Sequence, residues 1–211
     1  MNDRYISISA GEEFSDKRNF TVDFFGHRII TTVTSTPAVA REWLYGLLRF
    51  HRPRRYKLVV GLGVQWRPPY ANTAATLQLC IGTRCLIFQL LHADFAPRIL
   101  ERVLADPTIT FVGVWNQNDA RLLQSSQHQL QVAKLLDLRS IAAASRGLST
   151  TSSMEALADG VLGYPGVHKP NWVGTSDWNA YRLSDAQVQY ACVDAFVSFS
   201  LGKELEAWNW N

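Results

Sequence analysis

Apolar and polar positions change period several times along the chain, and each change marks an element. Phe20, Val22 and Phe24 alternate with Thr21 and Asp23, the period-two pattern of a strand with one buried face. Phe25-Gly26-His27-Arg28 reads as a turn and residues 29–34 as a returning strand, so residues 5–35 predict a β-hairpin. Thr36-Pro37 then opens a helix, with Thr as N-cap and Pro at the first helical position; Val39, Trp43, Leu44 and Leu47 lie on its apolar face. Residues 56–62 are β-rich and almost continuously apolar, which predicts a central strand. Residues 75–81 and 85–90 follow as two strands joined by Gly82-Thr83-Arg84, favouring an antiparallel meander.

Beyond the meander the period lengthens. Residues 95–104 predict a helix with Ile99, Leu100, Val103 and Leu104 inward, ended by Asp106-Pro107. Residues 109–114 and 132–136 read as short strands, residues 118–125 as a helix, and Asp137-Leu138-Arg139 as a further helical turn. A polar cluster at residues 149–153 caps a helix that runs through Leu162. Residues 163–183, rich in Gly, Pro, Asn and Trp, read as irregular. Leu183-Ser184 caps a last helix over residues 185–208, with Val188, Ala191, Cys192, Ala195, Phe199 and Leu205 inward. The pattern predicts an α/β fold, a mixed sheet covered by helices. Sheets of that kind place their sites at the ends of central strands.

Composition narrows the class. With 211 residues, 47% hydrophobic and 18% charged, the chain has the makeup of one globular domain. No apolar run approaches the roughly 20 residues of a membrane span, and Met1-Asn2-Asp3-Arg4 lacks a signal-peptide pattern. The expectation is an intracellular protein of the nucleus or cytoplasm, with no membrane partner. Three cysteines read as buried reduced thiols, although a hairpin disulfide between Cys80 and Cys85 is conceivable. The net charge of +3 says little, but Arg49, His51, Arg52, Arg54, Arg55 and Lys57 form a run without an acid. Such a run either holds phosphates beside a groove or is a solvated connection between a helix and a strand.

Two acids stand out in context. Asp119 follows the strand in Phe111-Val112-Gly113-Val114-Trp115-Asn116-Gln117-Asn118 and would open the next helix; Asp194 closes Tyr190-Ala191-Cys192-Val193. Tyr190 and Asp194, four apart, share a helical face. Asp119 also fits a first-turn acid favoured by the helix dipole.

In this order, Gly63-Val64-Gln65-Trp66, Leu77-Gln78-Leu79-Cys80, Phe111-Val112-Gly113-Val114 leading to Asp119, and Leu183-Ser184 through Tyr190 and Asp194 resemble the Werner-syndrome-type 3′–5′ exonucleases. The wording is most similar to plant members. The resemblance implies a ribonuclease H-like mixed sheet of five to six strands flanked by helices over residues 54–211, with residues 1–53 an added N-terminal hairpin and helix packed on the same domain. It also implies two-metal hydrolysis by four carboxylates on Mg²⁺ or Mn²⁺, with a Tyr orienting the water. On that pattern Asp119 and Asp194 are the third and fourth acids and the remaining metal ligands, and Tyr190 is the phenol. Gly63 and Gln65 stand where the first two acids would be.

Glycine supplies no ligand, and a neutral glutamine carbonyl is a poor substitute for carboxylate at a hard cation. Such a loss costs at least about 10²-fold in rate. Gln65 is expected to satisfy Asp119 or Asp194 by hydrogen bonding in place of a metal. Candidate nucleic-acid contacts are Trp66, Arg67 and Tyr70 on the groove lip, Trp115 and Asn116 from the next strand, Lys169 and Trp172 with His168, Asn171 and Trp178 in the irregular segment, and Arg52, Arg54 and Arg55. Trp208 and Trp210 are candidates for a protein contact.

Three readings stay open. One is a 3′-ended single-strand binder, DNA or RNA, with catalysis lost or weakened. The second is a working exonuclease with Mg²⁺ or Mn²⁺ on the two remaining acids. The third is a protein-interaction module or self-associating scaffold, with a protein partner or homo-oligomer.

Overall fold

The structure, a computed structural model, describes residues 5–51, 57–67, 73–168 and 170–210. Its strands are β1 (Ile6–Glu13), β2 (Arg18–Phe24), β3 (His27–Thr34), β4 (Val59–Gln65), β5 (Thr76–Ile81), β6 (Arg84–Phe88), β7 (Thr110–Gly113) and β8 (Leu135–Asp137). Its helices are α1 (Pro37–His51), α2 (Arg98–Leu104), α3 (Asp119–Gln124), α4 (Leu138–Arg146), α5 (Met154–Leu162), α6 (Asn171–Gly174) and α7 (Asp185–Glu204).

The strands form one mixed sheet in the order β1-β2-β3-β6-β5-β4-β7-β8. The β4-β5-β6 meander is antiparallel, as its apolar runs and tight turn predict. β7 and β8 add in parallel on the β4 side. The N-terminal segment contributes three strands, one more than the expected hairpin. β1 was hard to read because residues 9–13 are exposed, so only Ile6 and Ile8 carry an apolar signal. β3 joins the sheet by parallel pairing with β6, Thr31 opposite Cys85.

Two cores flank the sheet. Phe20, Val22, Phe24 and Val33 pack with Val188, Ala191 and Ala195 of α7 on one side. Leu44 and Leu47 of α1 and Leu100 of α2 pack on Leu62, Leu79 and Phe111 on the other. The N-terminal strands therefore share the α7-side core with the rest of the sheet.

The period-two geometry of β4 positions everything that follows. Val60, Leu62 and Val64 face α1 and α2. Gly61 and Gly63 face α7: a Cβ on Gly61 would stand 1.9 Å from the Ala195 carbonyl oxygen. Only glycine admits a helix backbone that close. Further along α7, a Cβ on Gly202 would meet Val59 and Val112 at 2.8 Å. Helix α7 is thus laid against β4 and β7 by two glycines, and Asp194, the neighbour of Ala195, comes down over Gly63.

Several boundaries differ from the expectation for local reasons. β6 ends at Phe88 because Gln89 turns away and gives its side-chain amide to the carbonyls of Ala180 and Tyr181. α2 starts at Arg98 with Pro97 as its N-cap, not at residue 95. α7 stops at Glu204, and a 3₁₀ turn over Ala207–Asn209 follows Glu206 at φ +50°. Trp208 and Trp210 are partly buried against the core, with Lys57 and Lys203 over the Trp208 ring, so the C-terminal tryptophans fold back on the domain. Cys80, Cys85 and Cys192 are free and buried. Cys80 and Cys85 face each other across β5 and β6, and Thr31 donates to the Cys192 Sγ at 3.1 Å. Among the described residues no helix is long and apolar enough to cross a membrane.

Candidate nucleic-acid interface

Four elements converge where β4 and β7 end. Gly63 and Gln65 come from the last turn of β4, both on its α7 face. Asp194 approaches from α7: its Oδ2 lies 3.4 Å from the position a Cβ on Gly63 would take. Tyr190, one turn earlier, carries α7 toward the Gln65 end. Its hydroxyl sits against Gly174, where a Cβ would stand 2.9 Å away, and the Trp178 ring packs at 6.0 Å. Trp178 itself is 1% exposed and donates Nε1–H to the Gly174 carbonyl. It belongs to the core that holds Tyr190 and offers no surface to a ligand.

The helix end of α7 is well made. Ser184 accepts from the Gln187 amide and Gln187 Oε1 accepts from the Ser184 N–H, a complete capping box. The Gln187 side chain also donates to Ser176 Oγ and the Asp177 carbonyl. One residue thereby ties the irregular segment to the helix that carries Tyr190 and Asp194.

Asp119 is reached differently. β7 stops at Gly113, where a Cβ would meet Asn116 at 3.0 Å and the Leu62 carbonyl oxygen at 3.1 Å. The chain reverses through Trp115 at φ +59° and a 3₁₀ turn over Asn116–Asn118, and Asp119 opens α3, buried. Asn116, expected on the nucleic-acid rim, is buried as well and spends its amide on the Leu136 carbonyl at 2.9 Å. Its part is to pin this turn to β8.

Sequence reasoning placed Gln78 in a family motif but gave it no role in the site. It stands directly across from Gly63 in the β4–β5 register, fully buried, donating Nε2–H to Thr76 Oγ1. Its Oε1 has no partner among the described residues and lies 2.8 Å from the Cβ position of Gly63. The amide oxygen thus occupies the room in which a side chain at position 63 would begin. The signal was available: Thr76, Gln78 and Cys80 alternate with Leu77, Leu79 and Ile81, which puts the polar set on the face of Gly63.

The donor set does not fit a pair of divalent ions. Among the described residues no group of three or more His, Cys, Asp or Glu is placed to hold a metal. Two carboxylates carry too little charge for two hard cations.

The rim residues divide. Arg67 is exposed and pairs with Asp177 at 3.5 Å, which ties the end of β4 to the irregular segment. Trp66 packs its side against the α1–α2 core. Trp172 is 67% exposed and, with His168 and Ile6 of β1, lines a cleft of about 200 Å³ that Tyr190 also borders. Trp115 is 53% exposed. Arg52, Arg54, Arg55, Tyr70 and Lys169 lie outside the described residues.

A mixed sheet with a long helix across its central strand, and Asp194 brought over that strand's end, defines a ribonuclease H-like, exonuclease-like domain. Residues 65–207 match the family model described as 3′–5′ exonuclease, and the chain belongs to that family, in its Werner-type branch. The chain is similar to a 3′–5′ exonuclease of Arabidopsis thaliana, 29% identical over 90% of this chain and 67% of that one. Human exonuclease 3′–5′ domain-containing protein 2 is 41% identical over 50% of this chain. The mouse bifunctional 3′–5′ exonuclease/ATP-dependent helicase WRN is 26% identical over 70% of it. The chain spans only 17% and 11% of the lengths of those two relatives. Among solved structures, the EXD2 exonuclease domain soaked in Mg superposes with a TM-score of 0.50 at 28% identity, over 83% of this chain and 88% of that one. The Aedes aegypti Nibbler EXO domain reaches 0.63 at 14% identity over 83% and 87%, a likeness of fold.

Proposed function

We propose that this chain binds 3′-ended single strands of nucleic acid on an exonuclease fold whose own hydrolysis is lost or strongly weakened. The observation that carries this reading is the Gly63–Gln78–Asp194 contact: where the fold would project an acid between two metals, a neutral amide oxygen fills the space. Gln65 repeats the substitution two residues on. Family membership supports nucleic acid as the ligand, and the exposed Trp172 and Arg67 near Tyr190 and the irregular segment support a binding rim. The test uses a 3′-labelled single strand with Mg²⁺ or Mn²⁺. The expected result is binding that weakens steeply with salt, without metal-dependent loss of the label. Failure to bind at low salt refutes the proposal.

A second reading has its own observation. Gln78 Oε1 is an orphan buried acceptor, and Asp194 Oδ2 lies close to the same point. Hard cations accept amide carbonyls as well as carboxylates. A single Mg²⁺ or Mn²⁺ held by Asp194, Gln78 and Asp119 would support slow 3′–5′ hydrolysis by supplying Lewis-acid polarisation. Metal-dependent degradation abolished by Asp194→Ala would establish this reading over the first.

A further inference from the structure

Trp115 is one of four non-glycine residues with positive φ among those described. A bulky residue in the left-handed region is an outlier that persists only where its surroundings over-determine it. Here two contacts do so. The indole Nε1–H donates to the Ser152 carbonyl at 3.2 Å. The Arg139 guanidinium carbon lies over the ring, 3.3 Å from its centroid.

Arg139 is itself buried, and all three of its side-chain nitrogens donate in its own plane. Its Nε donates to both Asp137 carboxylate oxygens, at 3.0 and 3.1 Å, and an Nη to Oδ2 at 2.6 Å. Its other Nη donates to the Thr150 carbonyl at 3.2 Å. Asp137 is also the N-cap of α4 and accepts from the Arg139 N–H. So the guanidinium is buried, its charge is balanced by Asp137, and it meets the indole through a π face. It is a support for the indole and has little to offer a phosphate.

The same accounting applies to Trp115. Its one hydrogen-bond donor is used and one face lies on Arg139, yet the residue remains 53% exposed. What is left is an outward π face, fixed in angle, four residues before Asp119 and two after the end of β7. Such a face recognises a flat partner without directional bonds. We infer that Trp115 is a preorganised stacking platform for one unpaired nucleobase of the bound strand, with Arg139 as the residue that positions it. The inference rests on the nucleic-acid reading above. A stack of this kind is tolerant of base identity, because every base has a π face.

The test is fluorescence anisotropy with a 3′-labelled oligothymidylate at several salt concentrations, using the whole chain. Trp115→Leu, which keeps apolar bulk without a π face, is expected to weaken binding about 10-fold. Trp115→Phe should retain most of the affinity. Arg139→Met should fall between them by loosening the indole. The slope of affinity against salt should stay unchanged in all three, since no phosphate contact is removed. A purely structural role would make Leu and Phe equivalent, and that result overturns the inference. So does equal binding by the unaltered protein and Trp115→Leu. If the unaltered protein binds no oligonucleotide, the nucleic-acid reading falls and this inference with it, a pattern distinguishable from loss in the variant alone.

Discussion

Gly61 and Gly63 lie two residues apart on the same face of β4, but different neighbours make them different positions. A methyl at 61 meets the backbone carbonyl of Ala195 at 1.9 Å, which no rotamer change relieves. A methyl at 63 meets Gln78 Oε1, the far end of a flexible side chain, at 2.8 Å. Gly61→Ala is therefore expected to cost about 3 kcal/mol or more, the upper end of overpacking. Gly63→Ala should cost about 1 kcal/mol or less. Urea denaturation of the two variants checks the contrast, and equal losses would place α7 differently from the structure. Gly63 and Gln65 drew attention in the sequence because the other motif residues stand at the family's spacings. Arg139 was not: its contact with Trp115 spans 24 positions and depends on how β8 and the turn after β7 meet. Asn116 and Trp178 stood among the rim candidates because a polar or aromatic residue near a groove looks the same whether it faces in or out.

At the level of elements, the signals that worked were local. Thr36-Pro37, Ser153 and Ser184 each precede a helix, and the structure has α1, α5 and α7 there. The Ser184–Gln187 box makes the start of α7 a measurable unit. Ser184→Ala should lower stability by about 1 kcal/mol, a fall in Tm of roughly 2–4 °C for a domain of this size. Gln187→Ala should cost more, since Gln187 also holds Ser176 and Asp177; thermal unfolding that ranks the two the other way would contradict that role. The elements that escaped were those with little apolar burial. β1 is mostly exposed, and β8, expected over residues 132–136, is a three-residue strand set by its neighbour β7 more than by its own pattern.

Across the whole molecule, the N-terminal strands are tied to the far end of the chain. Arg182 holds the Glu13 carboxyl of β1 below its ordinary value of 4.5, chiefly through their hydrogen bond. A depressed carboxyl contributes stability above its unfolded pKa and loses it as pH falls through the folded value. The protection of β1 amides, measured against their intrinsic exchange rates, should therefore fall as pH drops below about 4.5. The pair is exposed and screened, so about 1 M salt should mimic the acid effect. In Arg182→Gln the acid step in β1 should vanish; its persistence would assign it to another group. The interior is legible in the same way: burial raises the Cys192 thiol well above its usual range and also raises Cys80. The native protein should accordingly leave its three thiols unlabelled by a disulfide reagent, with all three reacting in denaturant.

Asp194 stands over Gly63, and in the proposed reading that position has exchanged charge for the neutral amide of Gln78. Whether that exchange silences hydrolysis is measured most directly by degradation of a 3′-labelled strand in Mn²⁺, the unaltered protein beside Gly63→Asp/Gln65→Glu. Restoring both acids, with Gln78 turning aside, should raise the rate at least about 10²-fold. A rate in the unaltered protein equal to that of the double variant would contradict the proposed loss of catalysis.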